Sequence, residues 1–501
     1  MPVSPAPVLP GTSPLPPSGQ QPPSRRALRL GAMIAVPLLA AALVAGQLLL
    51  PTALFLVPGL QAQAGTNVGG SEGFSFQGFV YSWTRREKDA NSGYTAPVSL
   101  ENMQSEAKVF HMNAVIIPVV ADMPERSERY IAWHNTDKSD LDTLSLSDYV
   151  RAIQDARKAG LVPILELQML HQDPIFTPDE SSANIGAGWS DTPSNQAIYN
   201  EAGNPNDVST LERQWFDNYT AFAVQYAQVS QQYHLPYFIF GDGLTNVSYD
   251  TAATSAKNDP SGIVRNVQGD SCPQNAPGRR DCEWRHVINA IRAKTYHQIW
   301  DKKEETGGGY TGKLIYAANW GGADAGGASA PEFENITWWD AVDFIGINAG
   351  FPLTQSLRDP SVDQLVQAWN GKGSNIVSSN GDIYSRIEKV SDKYGKPVIF
   401  TSVGYNSVGG ANSQAFQEGT DFTPQEDDSE QYNDMEALLQ TFNSAPWWEG
   451  VFWNGDAPIP RDKQANWAVS SSWAGPTLAK SKPAGQWLAQ YYKPAPIPCS
   501  C

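Results

Sequence analysis

Three short stretches place acids or hydroxyls where chemistry can be done: "FGDGL", "FTSVGY" and "FWNGDA". Each closes an apolar run, so Asp242, Ser402 and Asp456 stand where a buried strand gives way to a loop. "VPILELQML" sets Glu166 and Gln168 inside such a run. Neighbouring run ends add the rings of Trp83, Trp320, Tyr405 and Trp453 and the amides of Asn319, Asn348 and Asn454. Rings of this kind stack on sugar faces, and amides bond to hydroxyls. Breaking a glycosidic bond makes a stricter demand. It needs two carboxyl groups across the sugar, about 5–5.5 Å apart for retention and about 6.5–9.5 Å for inversion. One must be a protonated acid and the other a base or nucleophile. The set here is rich in rings and amides and poor in carboxyls. Ser402 as a nucleophile requires a base, and no histidine stands at a matching run end. Glu166 reads equally as a structural ion pair and as a glycan contact.

The elements that must position these residues are eight short apolar runs: 74–83, 114–120, 162–170, 237–244, 313–320, 342–349, 396–405 and 450–457. They are β-branched or aromatic and almost continuously apolar, as parallel strands buried on both faces must be. Helical periodicity lies between them, in "SLENMQSEAKVFHM", "LSDYVRAIQDARKAG", "LERQWFDNYTAFAVQYAQVSQQYH", "EWRHVINAIRAKTYHQIW" and "DMEALLQTFN". Eight strands alternating with helices predict an α/β fold, a (β/α)₈ TIM barrel, with long βα loops at 171–206, 248–281, 351–380 and 406–427. An open doubly wound sheet is the competing fold, but no Gly-rich phosphate loop supports it. Trp338, Trp339, Trp447 and Trp448, and the stripe Trp215, Phe216, Tyr219 and Phe222, read as core packing. Trp320 and Trp453 read as lining a cleft.

The first 24 of the 501 residues hold nine prolines and no charge, and cannot build a core. Arg25, Arg26 and Arg29 follow, and then Leu30 to Leu50 run without a charge. A helix of about 20 residues spans about 30 Å, enough to cross a bilayer. Arginines on its N-terminal flank predict that end in the cytoplasm and the barrel outside. A cleaved signal peptide is the alternative, with Ala62 and Ala64 before Gly65 as the cleavage site. The organisation expected is a Pro-rich tail (1–29), a transmembrane anchor (30–60), a linker (61–72), the barrel (73–495) and a C-terminal Cys tail (496–501). From residue 61 onward 32 Lys and Arg face 52 Asp and Glu, a net of −20 that repels phosphate backbones, so nucleic acid is not an expected partner. Cys272 and Cys282 bracket a polar loop and form the preferred bridge in an oxidising compartment. The scattered histidines suit no common metal site, and neither metal nor cofactor is expected.

"YAANWGGA", "ENITWWDAVDFIGIN", "FPLT", "GKPVIFTSVGYNSVGGAN" and "WWEGVFW" together resemble family 113 of the glycoside hydrolases, the β-mannanases built on a (β/α)₈ barrel. The resemblance spreads over roughly residues 74–492. It implies a catalytic Glu after a small residue or Asn at the end of strand 4, and here Gly243 occupies that Glu position. It implies a nucleophilic Glu on strand 7 in "FTE(I/V)GY", and here Ser402 stands there. It implies an Asp-Ala-Tyr pattern on strand 6, where this chain has Asn348, Ala349 and Gly350. The expectation is therefore a membrane-anchored, extracytoplasmic, hydrolase-like barrel that binds a neutral, mannan-type polysaccharide and has lost its catalytic pair. Trp83, Glu166, Asn319, Trp320, Asn348, Tyr405, Trp453 and Asn454 are its expected ligand contacts. A glycosidase with relocated carboxyls, Asp242 and Asp456, is one alternative. A structural or partner-binding surface protein is another.

Overall fold

All eight apolar runs become strands, because each is buried on both of its faces. They are β1 (Phe76–Tyr81), β2 (Ala114–Met123), β3 (Val162–His171), β4 (Tyr237–Asp242), β5 (Lys313–Asn319), β6 (Phe344–Asn348), β7 (Val398–Val403) and β8 (Trp448–Asp456). In the computed structural model every neighbouring pair is parallel, and β8 pairs with β1 to close the barrel. The structure describes residues 75–83, 91–123, 131–133, 144–171, 208–250, 279–293, 296–299, 302–305, 309–321, 331–355, 359–377, 379–413, 426–460, 473–475 and 477–492. The chain divides into two units, Met1–Gln61 and Ala62–Cys501, and every described residue lies in the second. Among the described residues no helix is long and apolar enough to cross a membrane. The span expected at 30–60, the flanking tail and linker, and the Cys tail lie outside the described residues.

The bore holds one apolar cluster: Phe76 and Val80 of β1, Ala114 and Ile116, Val162 and Ile164, Ile239, Ile315 and Ala317, Ile399, and Phe452. Phe76 meets Tyr237, Phe344 and Phe452 with ring centroids 5.0, 6.4 and 5.6 Å away, a plug at the N-terminal end of the barrel. Alternate residues turn outward, where a second and larger apolar layer packs the strands against helices.

Among the described residues the helices of eight or more residues are α1 (Pro97–Val109), α2 (Leu146–Ala159), α3 (Val208–Gln232), α4 (Arg279–Arg292), α5 (Val362–Trp369), α6 (Ile383–Tyr394), α7 (Asp428–Phe442) and α8 (Pro483–Tyr491). Local sequence sets their ends. Ser145 and Asp148 form a capping box on α2, and Gly160 closes it with φ 86°. The periodic stretch expected to stay helical to Trp300 stops at Arg292, because the returning chain seals the helix end: Tyr310 N donates to Ile291 O at 2.9 Å. Tyr296–Ile299 then pairs antiparallel with Lys302–Glu305 instead. Between β5 and β6 the described residues form the short helix Glu332–Asn335 and the turn Trp339–Ala341. Rings pack beside these short elements. Trp338 stacks on Trp284 at 5.3 Å, meets Tyr316 edge-on at 4.9 Å, and donates its N–H to Ser248 O at 2.9 Å. The core role expected of Trp338 and Trp339 holds, since both are fully buried.

Candidate functional site

In a barrel of this class chemistry belongs at the C-terminal ends of the strands, and the bore of this one turns polar there. On β3 the inward series Val162, Ile164 continues at two-residue steps to Glu166 and Gln168. On β4 strict alternation from Ile239 would send Asp242 outward. The register prevents it. Ile239 lies level with Ile315 and Asp242 with Ala317, so three steps on β4 match two on β5. The extra residue is a bulge, which re-aims whatever follows it. Gly241 permits the bulge, since a Cβ there would lie 2.7 Å from the Tyr316 ring and 3.0 Å from the Tyr219 hydroxyl. Asp242 therefore takes the inward place, and Gly243 turns away with φ 59°. β7 bulges as well: Ile347 pairs with Phe400, and the next residue, Asn348, pairs with Ser402.

The result is a hydrogen-bonded belt across five strands. Asn348 Nδ2 donates to Asp242 Oδ1 at 2.5 Å, and Gln168 Nε2 donates to Oδ2 at 3.2 Å. Thr401 Oγ1 donates to Asn348 Oδ1 at 3.0 Å. Asn348 Nδ2 also lies 3.4 Å from Asn319 Oδ1. Asn319 Nδ2 donates to Gly243 O at 3.1 Å and to Thr245 Oγ1 at 3.0 Å. Behind the belt lies Glu332, fully buried and not anticipated from sequence. Its Oε2 accepts from Asn319 N at 2.8 Å and Thr245 Oγ1 at 2.9 Å, and its Oε1 accepts from Tyr316 OH at 2.7 Å.

Three buried carboxyls thus differ in their company. Burial pushes Asp242 up from its ordinary value, and the donors Asn348 and Gln168 hold it down part of the way. Glu166 is raised well above the usual range, first by burial and then by the charge of Asp242. Its Oε1 has no hydrogen-bond partner among the described residues. Burial pushes Glu332 up to about 7 against four counteracting donors. This last shift has a consequence for stability. Between 4.5, where an ordinary Glu releases its proton, and about 7, the folded chain holds a proton that the unfolded chain has lost. Stability from this group is therefore greatest at low pH and falls as pH rises through that window, by on the order of 3 kcal/mol in all. Glu332→Gln removes the titrating group. Urea unfolding is expected to show wild type gaining on this variant as pH drops from 8 to 5. A difference between the two that stays constant over that range would contradict it.

The other expected contacts distribute unevenly. Trp320 is half-buried at the β5 end, with its ring 5.8 Å from Phe351. Asn454 is half-buried on β8. Trp83 is buried, its indole packed over Gly93. Tyr405 is buried too, and Gln431 Nε2 donates to its carbonyl at 2.8 Å. The structure brings Trp453 elsewhere than a cleft. Phe452 holds the inward position on β8, so Trp453 turns outward and gives its N–H to Tyr492 OH at 2.8 Å. The side chain of Asp456 and all of Cys272 lie outside the described residues. Cys282 is disulfide-bonded. Asp359, Asp427 and Glu430 bring carboxylate oxygens within 4.8 Å of one another. Backbone N–H groups occupy two of the three: Glu430 accepts from Gly410 N at 2.8 Å, and Asp427 caps α7. The trio ties loops to a helix.

A family model described as Glycoside Hydrolase Family 113 matches residues 271–468. The solved structure of a GH113 beta-1,4-mannanase superposes with TM-score 0.55 at 17% identity, covering 83% of this chain and 98% of that one. The chain is GH113-like. The GH113 beta-mannanase AaManA from Alicyclobacillus acidocaldarius, in complex with ManMIm, superposes with TM-score 0.52 at 17% identity, covering 83% of this chain and 96% of that one. No curated protein matches the chain in sequence. At such identity the structural likeness carries the fold. The matched segment begins ahead of α4 and ends after β8, so the GH113-like signature takes in Asn319, Asn348 and Ser402 and leaves out Glu166 and Asp242.

Proposed function

We propose that this GH113-like barrel binds a neutral, mannan-type polysaccharide at its mouth without cleaving it, while tethered outside the cytoplasm by the apolar segment at 30–60. One observation carries the reading. The bulged end of β4 presents Asp242 to the bore, whereas the bulged end of β7 presents Ser402, which can neither capture an anomeric carbon unaided nor give up a proton as a carboxylic acid does. Around them stand neutral amides and a hydroxyl, Gln168, Asn319, Asn348 and Thr401, with the half-buried ring of Trp320 nearby in sequence to Asn319. Such a lining suits uncharged hydroxyl-rich ligands. The tether rests on three arginines followed by a long uncharged run, and the disulfide state of Cys282, with Cys272 as its proposed partner, fits an oxidising compartment.

The test is calorimetric titration of the full chain, extracted in detergent, with β-1,4-mannohexaose. Saturable heat without new reducing ends is the expected result, and the absence of binding would overturn the reading. Labelling of the barrel by a membrane-impermeant reagent only after cells are broken open would overturn the placement. A second reading, cleavage by relocated carboxyls, draws on Glu166 beside Asp242, one without a donor on Oε1 and the other with two donors. Divergent environments of this kind can separate an acid from a base. These two stand on adjacent strands, however, and glycoside cleavage needs its carboxyls on opposite sides of the sugar.

A further inference from the structure

We propose that Glu332 is the positioning residue of the mouth: it decides which end of the Asn319 amide faces the bore, and so aims Asn348 at Asp242. The proposal rests on the mouth being the ligand site. Glu332 cannot touch a ligand, being fully buried behind β5 on the short helix Glu332–Asn335. Its influence is geometric. Oε2 takes both the backbone N–H of Asn319 and the hydroxyl proton of Thr245. With its proton committed, Thr245 Oγ1 is left to accept, and Asn319 Nδ2 donates to it at 3.0 Å. The same Nδ2 donates to Gly243 O, the carbonyl just past Asp242. The amide nitrogen of Asn319 is thereby drawn toward the β4 loop, and its oxygen is left for Asn348 Nδ2. Asn348, with its own oxygen taken by Thr401, then has its nitrogen toward Asp242. On the other flank Oε1 holds Tyr316, whose hydroxyl accepts from Leu244 N at 3.2 Å. A single carboxylate thus fixes both sides of the seam between the β4 loop and β5. An isolated buried carboxyl is costly. This one is satisfied by groups that all belong to, or adjoin, the belt.

Two neutral replacements separate position from charge. In Glu332→Gln the amide oxygen can still accept from Asn319 N and Thr245, while its NH₂ faces Tyr316 OH, which can accept. In Glu332→Leu no acceptor remains. The full chain in detergent is titrated with β-1,4-mannohexaose, and in the same samples the Asp242 carboxyl is followed against pH by ¹³C NMR. Glu332→Gln is expected to bind within about twofold of wild type and Glu332→Leu roughly tenfold more weakly, the scale of one well-placed hydrogen bond lost. The Asp242 midpoint is expected to lie on the order of half a unit higher in the Leu variant than in the Gln variant, because a loosened Asn348 supports the charge less well. Equal affinities and equal midpoints would overturn the proposal. So would a Gln variant as weak as the Leu one. If the Leu variant fails to fold, Thr245→Val removes the hydroxyl between Glu332 and Asn319, with about a threefold loss expected and no loss overturning. If wild type itself binds no mannohexaose, the functional reading falls. The two midpoints then decide the positioning role alone: higher in Leu sustains it, and equal refutes it.

Discussion

Incubated with β-1,4-mannan, the full chain is expected to release no reducing ends above an enzyme-free control. A positioned general acid contributes about 10²–10⁴-fold to such reactions, and a carboxylate on the far side of the sugar ring is needed as base or nucleophile. Burial raises Asp242 toward its protonated form and the two amides that donate to its oxygens offset part of that push, but a single carboxyl without a second one facing it supplies only half of the required pair. Across the mouth, β7 offers Thr401 and Ser402, and Thr401 is already bonded to Asn348. Among the described inward side chains at the ends of β5 to β8 there is no carboxyl that faces Asp242. Replacing Gly243 and Ser402 together by Glu is not expected to create turnover either. The β4 bulge gives the inward place to residue 242, and Gly243 has φ 59°, a conformation that a side chain resists. Asp242→Asn should instead weaken mannohexaose binding by roughly tenfold or more, since a hydrogen bond to a charged acceptor is worth about 1.5–3 kcal/mol. Wild-type reducing-end release that disappears in Asp242→Asn would sink the non-catalytic reading.

How far this could be seen beforehand differs from strand to strand. "AVIIPVV" and "VPILELQML" announce their strands because a parallel barrel buries both faces, and burial is what hydropathy measures. Parity is another matter. In "YFIFGDGL" alternation carries Phe238 and Phe240 outward correctly and then mispoints Asp242, because one inserted residue shifts everything beyond it. The glycine before Asp242 is the signal available, since Gly inside a strand often marks a bulge. No comparable hint exists for Trp453. The side it takes is settled by Phe452 and by Tyr492, a residue 39 positions further on. Glu332 had no signature either: in "PEFENITWW" it resembles any acid in the first turn of a helix, and only tertiary contacts from Thr245 and Tyr316 give it a purpose. The hairpin at 296–305 failed for a related reason. Helical period continued past Arg292, but a long-range cap from Tyr310 ended the helix.

Gly450→Ala is expected to be among the most damaging single changes in the chain, because it strikes the seam that closes the barrel. Gly450 lies level with Phe76 where β8 meets β1, and level with Ile399 where β8 meets β7. Between Trp448 and Gly450 the register against β7 slips by one residue, so Glu449 is the inserted residue of a bulge. The slip leaves Gly450 with φ 135°, outside the range that side-chain-bearing residues favour. A Cβ would lie 2.1 Å from Phe76 O and 2.8 Å from its carbonyl carbon. These are backbone atoms in paired strands, so the clash can be relieved only by parting β1 from β8. Backbone strain of about 1–3 kcal/mol and overpacking of about 1–3 kcal/mol add to a loss of roughly 2–6 kcal/mol, against a typical total of about 5–15 kcal/mol. Gly395→Ala supplies the contrast. That glycine caps α6 with φ 61°, and a Cβ there meets nothing within 4 Å, so only the conformational cost of about 1 kcal/mol applies. Urea unfolding at one pH should rank the two variants in that order by several kcal/mol. If Gly450→Ala proves no worse than Gly395→Ala, the β8–β1 seam is looser than its register implies. The rigid mouth on which the belt from Gln168 to Thr401 depends would then lack its support.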